Sequence, residues 1–391
     1  MPFAVYILGA AIFAQGTSEL MLAGLLPGLA ADLGVSIPRA GLLISAFALG
    51  MLAGAPILAV LTLRVPRRTA LLAFLGVFVA AHLVGALTGD YAVLFGTRVV
   101  AAFVYAGFWA VAATTAVELV PAEARGRAMS VVAGGLTLAT VLGLPLGTVL
   151  AQHWGWRSAF LAVAALTAAI APAVLRWVPA ARPGPAPRLR NELRAMANPR
   201  LWLSYGSTAL ATTAALVVFA YLGALLTERT GLAAGWVPVL LALHGVGAMA
   251  GIALGGRFAD AHPFRTLYAG FAGVAATAAL LALLAQHPIA VAVLVLCFGA
   301  CCFGTNPALN TRVFTLAGGA PTLATAVNVA AFNVGITAGP WLGGLLLTAG
   351  YGYPAIGWLA AAVALLALGS VALAQALHRR AESAAAQRVP V

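Results

Sequence analysis

The chain has 391 residues, of which 63% are hydrophobic and only 8% are charged, and its formal net charge at pH 7 is +12. A soluble globular domain carries about a quarter charged residues, so this composition excludes a protein whose surface mostly faces water. Apolar runs of about 20 residues recur along the chain, the length that crosses a hydrocarbon core of about 30 Å. The sequence therefore predicts an all-α polytopic membrane protein.

Twelve apolar runs, separated by proline, glycine and charged residues, are predicted to cross the membrane. Their predicted limits are 3–26, 39–62, 69–88, 92–117, 127–150, 157–178, 201–226, 236–256, 266–286, 288–311, 321–348 and 353–377. The first run follows no basic segment and is too long to be the apolar core of a signal peptide alone. It is therefore counted as span one.

The placement of arginine predicts the side of the membrane that each loop faces. The chain has 21 arginines and no lysine. If both termini are cytoplasmic, 17 arginines fall in cytoplasmic segments, 3 fall outside, and Arg98 lies within a span. The positive-inside rule therefore predicts a protein of the cell (inner or plasma) membrane with both termini in the cytoplasm. Because the arginines are scattered over short loops and form no single basic face, they do not indicate a nucleic-acid partner.

An internal repeat divides the chain into two halves. Pro66 and Arg68 at the start of span three correspond to Pro263 and Arg265 at the start of span nine, 197 residues later. The longest polar stretch lies between the halves, and its Pro, Gly and Arg content is typical of a linker. The predicted divisions are an N-terminal six-helix half (1–178), a cytoplasmic linker (179–200), a C-terminal six-helix half (201–377) and a cytoplasmic tail (378–391). Parallel repeats of this kind are common in transporters, with the substrate site between the halves.

Several motifs carry a resemblance to a known family. They are the loop LTLRVPRRTALL (61–72) and its second copy GGRFADAHPFR (255–265), the LFGTRVVAAF segment that contains Arg98, and GLPLG (143–147) followed by GWRSAF (155–160). Over essentially its whole length the chain resembles the major facilitator superfamily, in the twelve-span drug:proton antiporter branch. This resemblance implies two six-helix halves around a central cavity.

The N-terminal sequence narrows the resemblance. AQGTSELMLAGLLP (14–27), together with MPFAVYILG and GAPTLATAVNVAAFNVG, is similar to the actinobacterial chloramphenicol-resistance exporters. Arabinose- and sugar-efflux proteins are near relatives that share the GTSE-type start.

The motifs predict two structural features, a cytoplasmic latch and a hinge. The resemblance implies a cytoplasmic latch that favours the outward-open state, formed by Arg64, Arg67, Arg68, Arg257 and Asp260. In span five, proline removes a backbone donor and can kink the helix, and small residues let helices approach closely. On these grounds and on the resemblance, the antiporter-motif residues Gly143, Pro145 and Gly147 are predicted to form a hinge against a span of the other half.

Glu19 is a carboxylate in an otherwise uncharged stretch, and it is predicted to carry the proton. Span one is predicted to end near Pro27, so Glu19 and Arg98 both lie about 10 Å below the outer surface. Charged residues within spans usually mark an ion or substrate route, and in the resembled fold spans one and four pack near each other. Burial and the neighbouring Arg98 act in opposite directions on the carboxyl group. The alternative is a static ion pair that pins the two spans together.

The predicted substrate cavity combines aromatic and uncharged polar groups. Gln15 lies one helical turn before Glu19, and Tyr105 and Trp109 continue the helical stripe of Arg98. The second half supplies polar groups without a buried acid. The predicted cavity residues of that half are Tyr221, His244, Asn306, Asn310, Asn328 and Asn333. Such a set suits a small, neutral, amphipathic ligand.

We therefore predict a proton-coupled drug exporter that works by alternating access, with chloramphenicol-type drugs as the first-choice substrate. The expected partners are the drug, protons and membrane lipids, and the expected state is a monomer. No cofactor and no metal site are predicted; the three cysteines, Cys297, Cys301 and Cys302, are expected to pack as small apolar residues.

Two alternative functions remain open. A pentose exporter would share the fold and differ in the chemistry of the cavity. A membrane enzyme or a non-transporting sensor is the second alternative, although the sequence contains no HExxH or GxSxG motif.

Overall fold

A computed structural model describes residues 1–62, 65–121, 124–180, 196–259, 261–317 and 321–386. Within these ranges, twelve helices are long and apolar enough to cross a membrane, and the secondary structure is helical. The predicted number of spans and the all-α class are therefore confirmed. Most of the predicted linker, at residues 181–195, lies outside the described residues.

The first half contains spans one to six. Span one is Phe3–Asp32, span two Ile37–Leu61, span three Arg67–Leu87, span four Tyr91–Glu118 and span six Trp156–Trp177. Span five consists of the helices Arg125–Leu138 and Leu144–Trp154, joined by a π-helical turn at Ala139–Gly143. Pro145 follows this turn directly. Since proline removes a helical hydrogen bond, the irregular turn lies where the regular ladder is interrupted.

The second half contains spans seven to twelve. Span seven is Pro199–Phe219 with a short continuation to Arg229, span eight Val237–Ala259, span nine Pro263–Leu283, span ten Pro288–Gly304 continued by Asn306–Ala317, span eleven Pro321–Thr348 and span twelve Tyr353–Ala386. Because the number of spans is even, the two chain ends lie on one side of the membrane. We call this the terminal side and the opposite side the far side.

Span one is longer than predicted. Pro27 was expected to mark its end, but the helix continues through Pro27 to Asp32. A proline is tolerated within a membrane helix when neighbouring segments compensate for the lost bond. Glu19 consequently lies 13 residues before the helix end, about 20 Å at 1.5 Å per residue, whereas Arg98 lies seven residues, about 10 Å, after the start of span four at Tyr91.

Spans two and four approach each other through glycines. A Cβ atom on Gly50 would lie 2.3 Å from the carbonyl oxygen of Val99, and one on Gly54 would lie 2.3 Å from that of Phe103. Only hydrogen atoms fit between these backbones. The Gly-x-x-x-Gly pair therefore acts in helix packing, as its spacing predicts.

Spans eight and ten repeat this contact in the second half. A Cβ atom on Gly247 would lie 2.1 Å from the carbonyl oxygen of Leu296, and one on Gly251 would lie 2.1 Å from that of Ala300. Each of these four residues comes 197 positions after its counterpart in the first half. The repeat predicted from the start of spans three and nine therefore extends to the packing of other helices.

Candidate functional site

A cavity of about 480 Å³ lies between the two halves. Most predicted site residues that face the cavity lie in the middle of their spans or toward the terminal side. Both six-helix halves contribute to the wall. The structure brings together at this wall the predicted residues Glu19, Tyr105, Trp109, His244, Asn306, Asn310 and Asn333. Among the described residues that line the cavity, Glu19 is the one carboxylate. The rest of the wall is mostly apolar, with hydroxyl and amide groups.

Three predicted cavity residues lie elsewhere, which corrects the prediction. Gln15 is fully buried, and its Nε2 donates to the carbonyl oxygen of Ala11, 3.3 Å away. Asn328 lies behind Asn310, to which its Nδ2 donates. Tyr221 lies near the far side, where its hydroxyl donates to a backbone carbonyl. Each residue lies on a predicted span, but the face that the side chain occupies depends on how each helix is rotated against its neighbours.

Arg98 packs against the segment of span one that contains Glu19 and does not itself line the cavity. Its side chain is 1% exposed, and both terminal nitrogens donate to Ser18: Nη1 to Oγ at 2.7 Å and Nη2 to the carbonyl oxygen at 3.0 Å. The guanidinium carbon also lies 4.3 Å from the centre of the Phe47 ring. These contacts place Arg98 level with Glu19, the next residue after Ser18, as the sequence predicts.

The hydrogen bonds continue from Ser18 to span three. Ser18 Oγ lies 2.6 Å from His82 Nε2, and His82 Nδ1 lies 2.8 Å from the carbonyl oxygen of Phe78. A carbonyl oxygen only accepts, so Nδ1 carries a proton, and in the neutral imidazole Nε2 accepts from the Ser18 hydroxyl. With a neutral His82, the direction of donation therefore runs from Arg98 to Ser18, to His82 and to Phe78.

Arg98 and Glu19 do not form an ion pair in this structure. The ion pairs closer than 4.0 Å among the described residues include Arg67–Glu118 and Arg157–Asp32. The alternative of a static Glu19–Arg98 pair is therefore not the arrangement observed. Ser18 lies next to Glu19 in sequence, yet the sequence alone gave no signal that it would occupy both donors of the arginine.

The second half holds a chain of neutral groups whose last two members, Asn310 and Asn306, line the cavity. Thr208 Oγ1 donates to Asn328 Oδ1 at 2.9 Å, and Asn328 Nδ2 donates to Asn310 Oδ1 at 2.9 Å. Asn310 Nδ2 then donates to the carbonyl oxygen of Asn306 at 3.0 Å. Because that carbonyl only accepts, the orientation of both amides is fixed. Thr208, which sequence reasoning missed, anchors the chain on span seven.

The far side is closed by contacts between the halves. Tyr221 Oη donates to the carbonyl oxygen of Pro340 at 2.6 Å, and the same ring approaches Gly41 of the first half. Ser45 Oγ donates to the carbonyl oxygen of Thr337 at 2.8 Å. The Ser45 bond and the approach of the Tyr221 ring to Gly41 connect the two halves, whereas the Tyr221–Pro340 bond joins spans seven and eleven of the second half. The cavity therefore lies on the terminal side of a closed barrier.

The glycines of span five face a different helix from the one predicted. A Cβ atom on Gly143 would lie 2.1 Å from Thr17 Oγ1, and one on Gly147 would lie 3.2 Å from Met21 Cβ. Both contacts are with span one of the same half, so the predicted seam with the other half is wrong for these two positions. Contact with the other half comes instead from Gly245 of span eight, where a Cβ atom would lie 2.8 Å from the carbonyl oxygen of Thr140. Thr140 belongs to the π-helical turn.

Two of the predicted latch residues, Arg67 and Arg68, make contacts within the first half. Arg67 pairs with Glu118, and its Nη1 donates to Thr114 Oγ1 at 2.8 Å. Arg68 donates to the carbonyl oxygen of Leu175 at 3.2 Å, in the last turn of span six. Arg257 is exposed. Arg64 and Asp260 lie outside the described residues, so the latch stays a prediction.

Comparison with known proteins decides the family. The sequence profile of the Major Facilitator Superfamily matches residues 8–321. The chain belongs to the Major Facilitator Superfamily. The internal repeat, the central cavity and the twelve spans are the features on which the sequence already resembled this superfamily.

Relatives within the superfamily cover most of the chain. A chloramphenicol resistance protein of Streptomyces lividans is 45% identical over 344 residues, which are 87% of this chain and 88% of that protein. An uncharacterised MFS-type transporter, YtbD, of Bacillus subtilis (strain 168) is 37% identical over 350 residues, 88% of each chain.

Solved structures share the fold. A crystal structure of a bacterial homologue of the human lysosomal transporter Spinster, in an inward-facing and unoccupied conformation, matches with a TM-score of 0.70 and 18% identity. The match covers 95% of this chain and 92% of that one.

Proposed function

We propose that this chain is a drug exporter driven by proton exchange, with neutral amphipathic drugs of the chloramphenicol type as its substrates. The observation that carries the proposal is Glu19, a carboxylate in the wall of a cavity that otherwise presents apolar, hydroxyl, amide and imidazole groups. The substrate class comes from the Streptomyces lividans relative, which is named for chloramphenicol resistance. The cavity volume of about 480 Å³ falls within the range of small-molecule sites.

The proposed cycle uses the closed far side as its starting state. We place the terminal side in the cytoplasm on the basis of the arginine distribution, so a cytoplasmic drug reaches the cavity while the far side is closed. Opening of the far side releases the drug and lets a proton reach Glu19. Return to the starting state carries the proton inward, where it is released before the next drug binds.

The driving force for this cycle is adequate for concentrating a neutral drug. Exchange of one drug molecule for one proton moves one charge, which is worth about 2.3 kcal/mol per 100 mV of membrane potential. Each unit of pH difference adds about 1.4 kcal/mol. At 100 mV and one pH unit the sum supports a drug gradient of several hundredfold.

The proposal is tested by chloramphenicol transport in liposomes that contain the purified protein. With an imposed pH gradient, the native protein should concentrate the drug, and Glu19→Gln, which resembles the protonated acid, should not. Exchange of labelled for unlabelled drug without a gradient should survive, because it needs no change in protonation. Asp90→Asn is the matched control: it replaces an exposed acid at the start of span four, and asparagine caps a helix as well as aspartate.

Parallel measurements separate the alternatives. The same liposomes should be tested with a pentose and with a lipophilic cation. Concentration of chloramphenicol by Glu19→Gln against its gradient would show that Glu19 does not couple transport to protons. Transport of the pentose but not of chloramphenicol would reassign the substrate to sugars.

A further inference from the structure

We infer that Ser18 and His82 are positioning residues for proton coupling: they hold Arg98 behind Glu19 and keep it out of direct contact with the carboxylate. The inference rests on the proposed role of Glu19 and adds two residues that the sequence motifs leave without a function. It follows from the geometry of one hydrogen-bond chain, its burial and the charge that it controls.

The first step is the attachment of Arg98. Both Nη atoms bond to a single residue, one to the hydroxyl and one to the carbonyl oxygen of Ser18. The planar guanidinium fork matches two acceptors spaced in this way. With both groups bonded and the Phe47 ring against its face, Arg98 has a defined position that does not depend on Glu19.

The second step is the role of His82. Its Nε2 accepts a hydrogen bond from the Ser18 hydroxyl, so the lone pairs of that hydroxyl oxygen are directed toward Arg98. His82 is itself fixed, because its Nδ1 donates to Phe78 and its ring stacks on the Phe78 ring at 4.1 Å. The imidazole is 2% exposed. A buried neutral histidine therefore orients the hydroxyl that holds the arginine.

The third step is the effect on the carboxylate. A guanidinium in direct contact stabilises a carboxylate strongly, whereas Arg98 held on Ser18 leaves Glu19 able to take up the proton that the proposed cycle requires. The other titratable groups nearby are Tyr105 on span four, below Arg98, and His244 across the cavity on span eight. Arg98 is therefore the cation whose position sets the charge environment of Glu19.

The test compares three variants in two backgrounds. His82→Phe keeps the aromatic packing and removes the acceptor, His82→Gln keeps an acceptor near the position of Nε2, and Ser18→Ala removes the hydroxyl. Each is made in the native chain and in Glu19→Gln. For every protein, chloramphenicol concentration under a pH gradient and gradient-free chloramphenicol exchange are both measured in liposomes.

The inference predicts a specific pattern. Ser18→Ala should reduce gradient-driven concentration by about tenfold or more, the size expected when a hydrogen bond to a charged group is lost. His82→Phe should reduce it by about fivefold, because the bond that it removes joins two neutral groups. Exchange should stay native-like in both backgrounds, and His82→Gln should restore most of the coupling. The double variant Ser18→Ala/His82→Phe should be no worse than Ser18→Ala, because both act through the same chain of bonds.

The outcomes distinguish this inference from the proposed function. If Glu19→Gln alone still concentrates drug, the proposed function fails. If Glu19→Gln abolishes coupling while His82→Phe and Ser18→Ala keep it, the inference is wrong and the proposed function stands. Equal loss of exchange and coupling in His82→Gln and Ser18→Ala would show that the two residues only support the fold, which also overturns the inference.

Discussion

The two halves are built on the same helix contacts but present different chemistry to the cavity. In the first half, a carboxylate faces the cavity and a buried arginine lies behind it, attached to Ser18. In the second half, the polar groups are neutral and form a fixed chain from Thr208 to Asn306, and the repeat positions of Glu19 and Arg98 are Leu216 and Val295. Both halves nevertheless bring a span pair together through glycines 197 positions apart.

This difference separates the framework from the site. The glycine contacts involve backbone atoms, so they constrain the skeleton and leave the cavity-facing side chains free to differ. A duplicated skeleton can therefore hold an ion-binding group in one half and neutral ligand-binding groups in the other. The comparison predicts that variants of the skeleton affect folding in both halves, whereas variants of the site affect one property each.

The largest expected effect is on the shared skeleton. Gly251→Ala would place a methyl group 2.1 Å from the carbonyl oxygen of Ala300, and overpacking of this kind costs about 1–3 kcal/mol or more. We expect a large loss of folded protein and a lower melting temperature in detergent. Gly54→Ala should give a similar loss in the first half, since its methyl group would meet Phe103.

Gly256→Ala is the control for this prediction. Gly256 lies on the same helix, and a Cβ atom there has no described neighbour within 4 Å. Its melting temperature should be native or slightly higher. A native melting temperature for Gly251→Ala would mean that the helices separate easily, contrary to the shared skeleton.

The next effect concerns the charged half. Arg98→Lys keeps the charge but cannot place two donors on Ser18 in the same planar fork. We expect gradient-driven chloramphenicol concentration to fall by about tenfold or more while gradient-free exchange remains. Arg127→Lys, at an exposed position, is the matched control. Full coupling in Arg98→Lys would show that a point charge alone suffices at this depth.

A smaller effect is expected in the neutral half. Asn310→Ala removes the group that links Asn328 to Asn306 and lines the cavity. Losing about 1 kcal/mol of hydrogen bonding should raise the KM for chloramphenicol about fivefold without changing the number of protons exchanged. Transport measured against drug concentration at two pH gradients separates the two quantities. Loss of coupling in Asn310→Ala would contradict the division of tasks between the halves.

The smallest effect concerns the closed far side that both halves share. Ser45→Ala removes the bond to the carbonyl oxygen of Thr337 in the other half, worth about 1 kcal/mol, and should favour the far-side-open state about fivefold. The measure is labelling of Ala23→Cys, a cavity-lining position that is 2% exposed, by an impermeant thiol reagent added on the far side, in a chain whose three native cysteines are replaced by alanine. Ser207→Ala, which removes a serine bond within the second half, is the control. Equal labelling of the two variants would show that the Ser45 bond does not hold the far side closed.

The sequence predicted the number and arrangement of the spans better than it predicted which face of each helix a side chain occupies. Apolar length identified twelve spans, and the correspondence of Pro66 and Arg68 with Pro263 and Arg265 identified the repeat, because both properties can be read along one chain. Tyr221 and Asn328 were placed on the correct spans but on the wrong surface. Their orientation depends on how each helix is rotated against its neighbours, which a single sequence does not encode in its spacing.

The hydrogen-bond acceptors of Arg98 also could not be predicted from the sequence. Counting residues along the spans correctly placed it level with Glu19, although span one continues past Pro27. Depth does not say which of several acceptors at one level a guanidinium will take. Ser18 offers a hydroxyl and a carbonyl on one residue, and that geometry exists only once the helices are packed.

The burial of Arg98 also has a consequence for the biogenesis of the protein. An arginine in the middle of an isolated span costs about 2.5–3.5 kcal/mol at insertion. Its hydrogen-bond acceptor Ser18, the Phe47 ring, and His82, which orients Ser18, all precede it in the chain. Because synthesis proceeds from the N-terminus, spans one to three reach the membrane before span four. The hydrogen-bonding partners of Arg98 are therefore already in the membrane when span four is inserted. A circular permutation that moved span one to the end would remove those partners at the moment of insertion.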